Sequence, residues 1–354
     1  MAPSTTELSP TEPSPAELGT KEPGSMEHVF LGRTGLPVSR LCLGTMTFGL
    51  QCDEPTSAAI LDRAVEGGIT FIDTADVYPM GGRLATVGRT EEIVGNWLKN
   101  RRQDVVLATK ASHRVGPRPW QQGNSRRHLL DAVEQSLRRL QTDYLDLYQL
   151  HGTDPATPID ETLSALDDLV RSGKVRYVGC SNFAAYQIAR ALGRSEARDL
   201  VSFVTVQPRY NLLFRQAERE LLPLCLEEGL GVLPYNPLAG GMLTGKHDRG
   251  EPASGTRFAV DAVRDIYQGR YWQDERFGAV DRFRALAAEA GQPPATVALA
   301  WVLANPAVTA PIIGASRPEQ LTDTLAALAY TLPADLKQEL DDATHQFRMG
   351  DAPF

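Results

Sequence analysis

Four side chains frame the chemical question: Asp73, Tyr78, Lys110 and His151. They are a carboxylate, a phenol, an amine and an imidazole. A free phenol ionises near pH ~10 and is a poor acid–base group at neutrality. A neighbouring ammonium favours the phenolate and lowers that value. Asp73 can hold Lys110 charged and in place. His151 can donate to an oxygen or relay a proton. Such a set suits protonation of a carbonyl oxygen, or removal of a proton from an alcohol. Each residue alone reads better as a solvated strand end. The joint pattern carries weight only if the fold gathers all four.

The elements that must do this are legible. Asp73 ends the apolar run Thr70-Phe71-Ile72, and Gly67-Gly68 just before it suits the stop of a helix. Lys110 ends Val105–Thr109, and His151 ends Leu145–Leu150. From Leu41 onward, eight short apolar strands each precede a helical stretch. The strands are Leu41–Thr45, Thr70–Asp73, Val105–Lys110, Leu145–His151, Val175–Asn182, Phe203–Gln207, Leu230–Tyr235 and Pro311–Gly314. Strand–helix alternation implies parallel pairing, and eight units fit a closed (β/α)8 TIM barrel better than an open doubly wound sheet. The segment Leu43-Gly44-Thr45-Met46-Thr47-Phe48-Gly49 also lacks the G-x-G-x-x-G turn of the open alternative. Before the barrel, Arg33-Thr34-Gly35 joins two short apolar runs as a β-hairpin, and a helical extension closes the chain. Residues 1–25 are rich in Pro, Ser, Thr and Glu and read as a disordered tail, leaving 26–354 as one barrel domain. Met26 is a second candidate start.

A barrel of this kind places chemistry at the C-terminal ends of its strands. The remaining ends are polar too: Ser181-Asn182, Gln207, Tyr235-Asn236 and Gly314-Ala315-Ser316-Arg317. Protonating an oxygen while its carbon is reduced calls for a hydride donor, hence a nicotinamide. Tyr235 offers such a ring a flat face. Ser181, Asn182 and Gln207 offer donors and acceptors that match an amide. Ser316 and Arg317, at the mouth of the last helix, suit a phosphate.

Composition narrows the alternatives. The chain of 354 residues has a net charge of −8 and no long basic run, which argues against a nucleic-acid-binding face. Cys42, Cys52, Cys180 and Cys225 are scattered, so they read as reduced thiols of a cytoplasmic protein. No apolar run approaches the roughly 20 residues that span a bilayer, and no secretory signal opens the chain. The six histidines form no metal-binding pattern.

In its motifs the sequence resembles the aldo-keto reductases, from about Val29 to Leu328. The similar segments are Leu43–Gly49, Phe71–Ala75 with Tyr78, Ala108-Thr109-Lys110, Leu147–His151, Gly173–Phe183, Gln207–Asn211, Tyr235–Leu238 and Ile312-Ile313-Gly314. The loop style is similar to the bacterial and potassium-channel-β-like branches. The resemblance implies Asp73, Tyr78, Lys110 and His151 as catalytic tetrad, with Tyr78 as general acid. It implies NADP(H) lying extended across the rim, reducing an aldehyde or ketone, with a sugar or secondary-metabolite carbonyl among the candidates. Ser181, Asn182 and Gln207 would hold the carboxamide and Tyr235 would stack on the nicotinamide. Leu238, Gly240 and Lys246 would line the pyrophosphate, with Pro237 also on the cofactor side. Ser316, Arg317 and Gln320 would face the adenosine phosphate, with Gly44, Thr45 and Gly314 also on the cofactor side.

Two departures matter. Asp323-Thr324 stands where the family usually has Glu-Asn, which weakens the adenine contact. The loop Pro79–Val87 looks long and, beside Tyr78, is expected to shape the substrate mouth. Gly240–Lys246 spells G-x-x-x-x-G-K, but His247 replaces the Ser/Thr a triphosphate loop needs. Tyr271, Trp272 and Phe277 are open between a substrate wall and a satellite core. The rival functions are a nicotinamide-binding regulatory subunit and a lyase or isomerase on the same barrel.

Overall fold

The computed structural model describes residues 26–81 and 84–350. The tail expected over 1–25, and Gly82 of the loop after Tyr78, lie outside these residues.

The hairpin comes first, β1 (His28–Phe30) pairing antiparallel with β2 (Pro37–Ser39). Eight parallel strands follow: β3 (Cys42–Gly44), β4 (Phe71–Asp73), β5 (Val106–Ala111), β6 (Leu145–Leu150), β7 (Val175–Ser181), β8 (Thr205–Gln207), β9 (Gly231–Val232) and β10 (Ile312–Ile313). From β3 to β9 each pairs with the next, and β10 pairs with β3. Parallel bridges from Val232 to Val308 and from Tyr235 to Ile312 join the last two strands, closing a (β/α)8 barrel. β9 is shorter than its apolar run Leu230–Tyr235 because Pro234 has no N–H to give the ladder. Its carbonyl still accepts from the Ile312 N–H at 2.8 Å.

Helices cover the outside: α1 (Glu54–Glu66), α2 (Arg89–Trp97), α3 (Arg126–Leu140), α4 (Ile159–Arg171), α5 (Ala185–Arg198), α6 (Leu221–Glu228), α7 (Arg264–Tyr271), α8 (Asp274–Glu289), α9 (Pro294–Leu303), α10 (Leu321–Ala326) and α11 (Ala334–Ala343). In α3 the buried Leu129, Ala132, Val133, Ser136, Leu137 and Leu140 recur at helical spacing and face the sheet. The Ser125 side chain caps its first turn by accepting from the His128 N–H. The helical stretch after the sixth strand is not continuous over Gln216–Glu228: a 3-10 turn, Gln216–Glu218, comes first and α6 follows. The insert before α8 carries α7, and α11 is the helical extension.

Inside the barrel the period of two decides which residues meet. Cys42, Phe71, Ala108, Leu147 and Leu233 form a small inner core, stoppered at the N-terminal end by Leu31 and Val38 of the hairpin region. Two residues further along the same strands, the same face carries Asp73, Lys110, Gln149 and Tyr235. The register sets Lys110 beside Gln149, Gln149 beside Gly179, and Ser181 beside Gln207. Gly179 is needed there: a Cβ would collide with the Thr205 hydroxyl and press on the Gln149 chain.

Candidate active site

The register brings the four acid–base residues together. Lys110 is fully buried, and its ammonium donates to Asp73 Oδ1 and to the Thr74 carbonyl, the latter at 2.8 Å. Asp73 Oδ2 accepts from Gln149 Nε2 and Gln207 Nε2, both at 3.0 Å. Burial works to lower the Lys110 pKa, but the Asp73 charge, with Tyr78 and the hydrogen bond to Asp73, holds it above the usual lysine value. Lys110 Nζ lies 5.0 Å from the centre of the Tyr78 ring. From the sequence, that ammonium is expected to bring the phenol below its ordinary value. Burial outweighs it: Tyr78 is raised above its ordinary value, with Lys110 pulling it part of the way back. Tyr78 is therefore a neutral phenol at neutral pH, able to donate a proton.

His151 packs edge-on to Tyr78, ring centres 5.6 Å apart, and His113 packs against it at 4.4 Å. Burial first, then Lys110 and His113, push His151 well below the ordinary imidazole value. It is neutral. Its Nδ1 is buried with no hydrogen-bond partner among the described residues. The N–H is better placed on the other nitrogen, where the ring borders the cavity described below.

The amide-matching residues are already connected. Ser181 Oγ donates to the Gln207 carbonyl at 2.7 Å. Asn182 Nδ2 donates to the His151 carbonyl at 2.9 Å and to Ser181 Oγ at 3.1 Å. Tyr235 OH donates to Asn182 Oδ1 at 2.9 Å. Gln207 thus supports Asp73 as well as facing the cavity, a second task that its sequence position does not reveal. Gln149 escapes sequence reasoning altogether. Its signal is parity: it stands two residues before His151, on the inward face that Asp73 and Lys110 share.

These groups edge one cavity of about 790 Å³. Every residue named from the sequence as catalytic or cofactor-binding lines it except Lys110, which lies beneath. At one end Lys246, Arg317 and Arg257 converge; burial, then Arg317 and Arg257, lower the Lys246 pKa. Arg257 is also beyond sequence reasoning, being placed by the long insert. Its Nη1 lies 3.3 Å from Asn236 Oδ1 and from Tyr267 OH. The helix after the last strand offers less than expected: a 3-10 turn at Pro318–Gln320 precedes the six-residue α10, and Gln320 Oε1 already accepts from the Ser316 N–H at 2.8 Å. Side-chain charge, more than helix dipole, makes this end positive. Thr324 spends its hydroxyl on the Leu321 carbonyl at 3.0 Å. The Gly240–Lys246 decoy lies mostly in a 3-10 turn, Ala239–Thr244, with Gly240 and Gly241 at positive φ. It is not a strand–loop–helix.

The model of the Aldo/keto reductase family matches residues 40–344. This chain belongs to that family. It is 45% identical over 325 residues to a protein of Bacillus subtilis (strain 168) called uncharacterized oxidoreductase YrpG, covering 90% of this chain and 95% of the relative. It is 37% identical over 352 residues to Protein tas of Escherichia coli (strain K12), covering 93% and 100%. It is 36% identical over 308 residues to a probable voltage-gated potassium channel subunit beta of Arabidopsis thaliana, covering 86% and 91%. Family and relatives together make it an oxidoreductase.

Two loops enclose the mouth of this aldo/keto reductase. The Tyr78 carbonyl accepts from the Gly88 N–H at 3.1 Å, pinning the far end of the Pro79–Val87 loop beside Tyr78. Met80 of that loop lines the cavity. Gly81, at φ +78°, abuts the Ala262 carbonyl of the insert so closely that any Cβ would collide. The loop therefore reaches across to the insert. Val263, Ile266, Tyr267 and Arg270, on and just before α7, form the facing wall. Tyr271 and Phe277 are buried, and Trp272 packs on Phe258 and Phe277 at 4.7 and 5.0 Å. Those three aromatics are neither a substrate wall nor a separate satellite: they pack into the main core, and Tyr267 is the aromatic of the insert that faces the cavity. Among the described residues, no helix is long and apolar enough to cross a membrane and no cluster could hold a metal ion.

Proposed function

We propose that this chain reduces an aldehyde or ketone to an alcohol with NADPH, and that Asp73, Tyr78, Lys110 and His151 carry the acid–base chemistry. The observation that carries the reading is the neutral Tyr78 phenol, held beside a fully buried, carboxylate-paired ammonium at the edge of the cavity. When bound, NADPH supplies a hydride to the carbonyl carbon. Carbonyl compound, NADPH and one proton then become alcohol and NADP+.

The chain's own residues supply the rest. Neutral His151 donates a hydrogen bond to the carbonyl oxygen and orients it. Tyr78 gives that oxygen its proton. Lys110 stabilises the phenolate left behind, and Asp73 keeps Lys110 charged. Because Tyr78 sits above its ordinary value, it carries at neutral pH the proton that reduction consumes; alcohol oxidation, which needs the phenolate and releases a proton, gains as pH rises. Lys246, Arg257 and Arg317 fit the phosphates of the cofactor: burial first, then the two guanidinium charges, lower Lys246, and a polyanion would relieve the repulsion. Ser181, Asn182 and Gln207 would hold its carboxamide, with Tyr235 against the ring.

The test is NADPH consumption against sugar, nucleotide-sugar, aromatic and short aliphatic carbonyls, with wild type and Tyr78→Phe. We expect turnover of at least one class and a loss of roughly 10²- to 10⁴-fold in the variant. Full turnover by Tyr78→Phe would refute the assignment. The relatives named as channel β subunits keep a second reading in view, a nicotinamide-binding regulatory subunit. Tight NADPH binding with no carbonyl reduced would select it.

A further inference from the structure

In the proposed reaction His151 presents one ring nitrogen to a carbonyl oxygen. An imidazole with such a task is ordinarily aimed by a hydrogen bond at its other nitrogen. Here that atom, Nδ1, is buried without a partner among the described residues. The ring is held by packing, edge-on to Tyr78 and 4.4 Å from His113. Its place is therefore set by the backbone that carries it, one residue past the end of β6.

Two buried polar residues of the loop after β5, Ser112 and Asn124, grip that backbone. The His151 N–H donates to the Ala111 carbonyl at 2.8 Å and to the Ser112 hydroxyl at 3.1 Å. The Ser112 hydroxyl touches both the Ala111 carbonyl and Asn124 Oδ1. Its single proton goes to Asn124, because the Ala111 carbonyl already accepts from His151. Asn124 Nδ2 donates to the Gly152 carbonyl at 2.9 Å. Gly152 follows His151, so these bonds close a ring around the His151–Gly152 peptide. The ring is braced from outside. Asp154 Oδ2 accepts from the Asn124 N–H at 2.8 Å, and the Thr162 hydroxyl donates to the Asn124 carbonyl at 2.9 Å. The Gly123 N–H donates to the Ser112 carbonyl at 2.7 Å, joining the two ends of the loop. Ser112 has φ +149°, a region that favours glycine and strains any other residue. The same turn delivers His113 against the His151 ring.

We propose that Ser112 and Asn124 are positioning residues: through the hydrogen-bonded ring around His151 they fix where its imidazole stands beside Tyr78. This rests on the reductase reading above and adds two residues to the same site. Neither residue lines the cavity, so both act through His151 and not on the substrate. The carbonyl oxygen has to lie within hydrogen-bond reach of Tyr78 and His151 together. A misplacement of about 1 Å at such a seat slows the reaction on the order of a hundredfold, so a shift of a few tenths is felt. The strained backbone makes the same point. Glycine suits the Ser112 position better, and what glycine lacks is the hydroxyl that reaches His151.

The experiment compares wild type with Ser112→Ala, Ser112→Gly and Asn124→Ala. Both Ser112 variants lack the hydroxyl, but only glycine relieves the backbone at φ +149°. Four quantities are measured: thermal unfolding, NADPH affinity by fluorescence titration, the single-turnover rate of hydride transfer to a carbonyl that wild type reduces, and the ¹⁵N signals of the His151 ring in the free protein, assigned with His151→Gln. Hydride transfer should fall roughly tenfold in all three variants, while NADPH affinity stays as in wild type. Ser112→Gly should be more stable than Ser112→Ala and yet as slow. The His151 signals should pass from one neutral tautomer in wild type to a mixture in each variant. A purely structural role predicts instead that rate follows stability, with Ser112→Gly nearest to wild type. That outcome overturns the proposal, as do wild-type hydride transfer in folded Ser112→Gly and Asn124→Ala, or ring signals that no variant alters. If wild type reduces no carbonyl at all, the reductase reading fails, and the ring signals alone still decide whether Ser112 and Asn124 place His151.

Discussion

Replacing Asp73 by asparagine should cost this protein both stability and turnover, and the two losses should separate in a double mutant. Lys110 is wholly enclosed, and Asp73 is its ionic partner. Removing one side of a buried ion pair leaves an uncompensated charge and costs about 3–5 kcal/mol. The amide introduced by Asp73→Asn would also present a donor where Gln149 and Gln207 already donate, at 3.0 Å each. Lys110→Met should cost less, about 1–3 kcal/mol, because Asp73 keeps those two amide donors and can take up a proton. The double mutant Asp73→Asn/Lys110→Met carries no stranded charge. It should be more stable than the sum of the single losses predicts, by about 1–3 kcal/mol. Turnover should not recover, since nothing then stabilises the Tyr78 phenolate. Urea unfolding at neutral pH measures the first quantity and NADPH consumption the second. The reasoning is refuted if the stability losses add, if Asp73→Asn is as stable as wild type, or if the double mutant regains wild-type kcat.

Three further outcomes rest on the same geometry. His113, His128, His151 and His247 all lie below the ordinary imidazole value, burial being the first cause in each and His247 held at about 4. The unfolded chain therefore takes up protons that the folded one refuses: stability should hold above about pH 6.5 and fall beneath it, by up to about 1.4 kcal/mol per pH unit per histidine, in urea titrations at stepped pH. Turnover corrected for folded fraction should show no His151 titration near that pH. Gly81→Ala should cost about 1–3 kcal/mol locally, because its φ of +78° and the Ala262 carbonyl leave no room for a Cβ. It should raise KM for the carbonyl far more than it weakens cofactor binding, read by kinetics and fluorescence titration. Lys246→Met with Arg257→Gln should weaken NADPH binding by at least tenfold and NADH binding by less; equal losses would confine these cations to the pyrophosphate that both cofactors carry, and no loss with either would deny them a phosphate role.

Much of the architecture is readable in the chain alone. The alternation of apolar runs with helical stretches identifies a parallel barrel because burial on both faces forces continuous apolar strands, and the residue ending each strand is the one the barrel exposes to chemistry. Asp73, Lys110, His151, Ser181 and Gln207 are legible for that reason. Helix limits drift by a few residues where caps compete, as at Gln216–Glu228, where a 3-10 turn interrupts the helix. Gln149 escapes because a glutamine inside a strand carries no motif; only register, with Gly179 vacating space beside it, reveals its bond to Asp73. Arg257, Arg270 and His113 escape because loops and inserts have no periodicity to fix where they return.

Local pattern is enough for the fold class, the strand ends and the four residue types that define the chemistry. Those depend on the order of side chains and on the period of the strand, which are properties of the chain. Protonation states and the shape of the mouth belong to the packed molecule instead. Tyr78 is a neutral acid because enclosure outweighs the ammonium beside it, and His151 is neutral for the same cause. The mouth takes its shape only where the loop after Tyr78 meets the insert, Gly81 against the Ala262 carbonyl. Desolvation and the meeting of distant loops are sums over the whole packed chain, so no single stretch of it contains them.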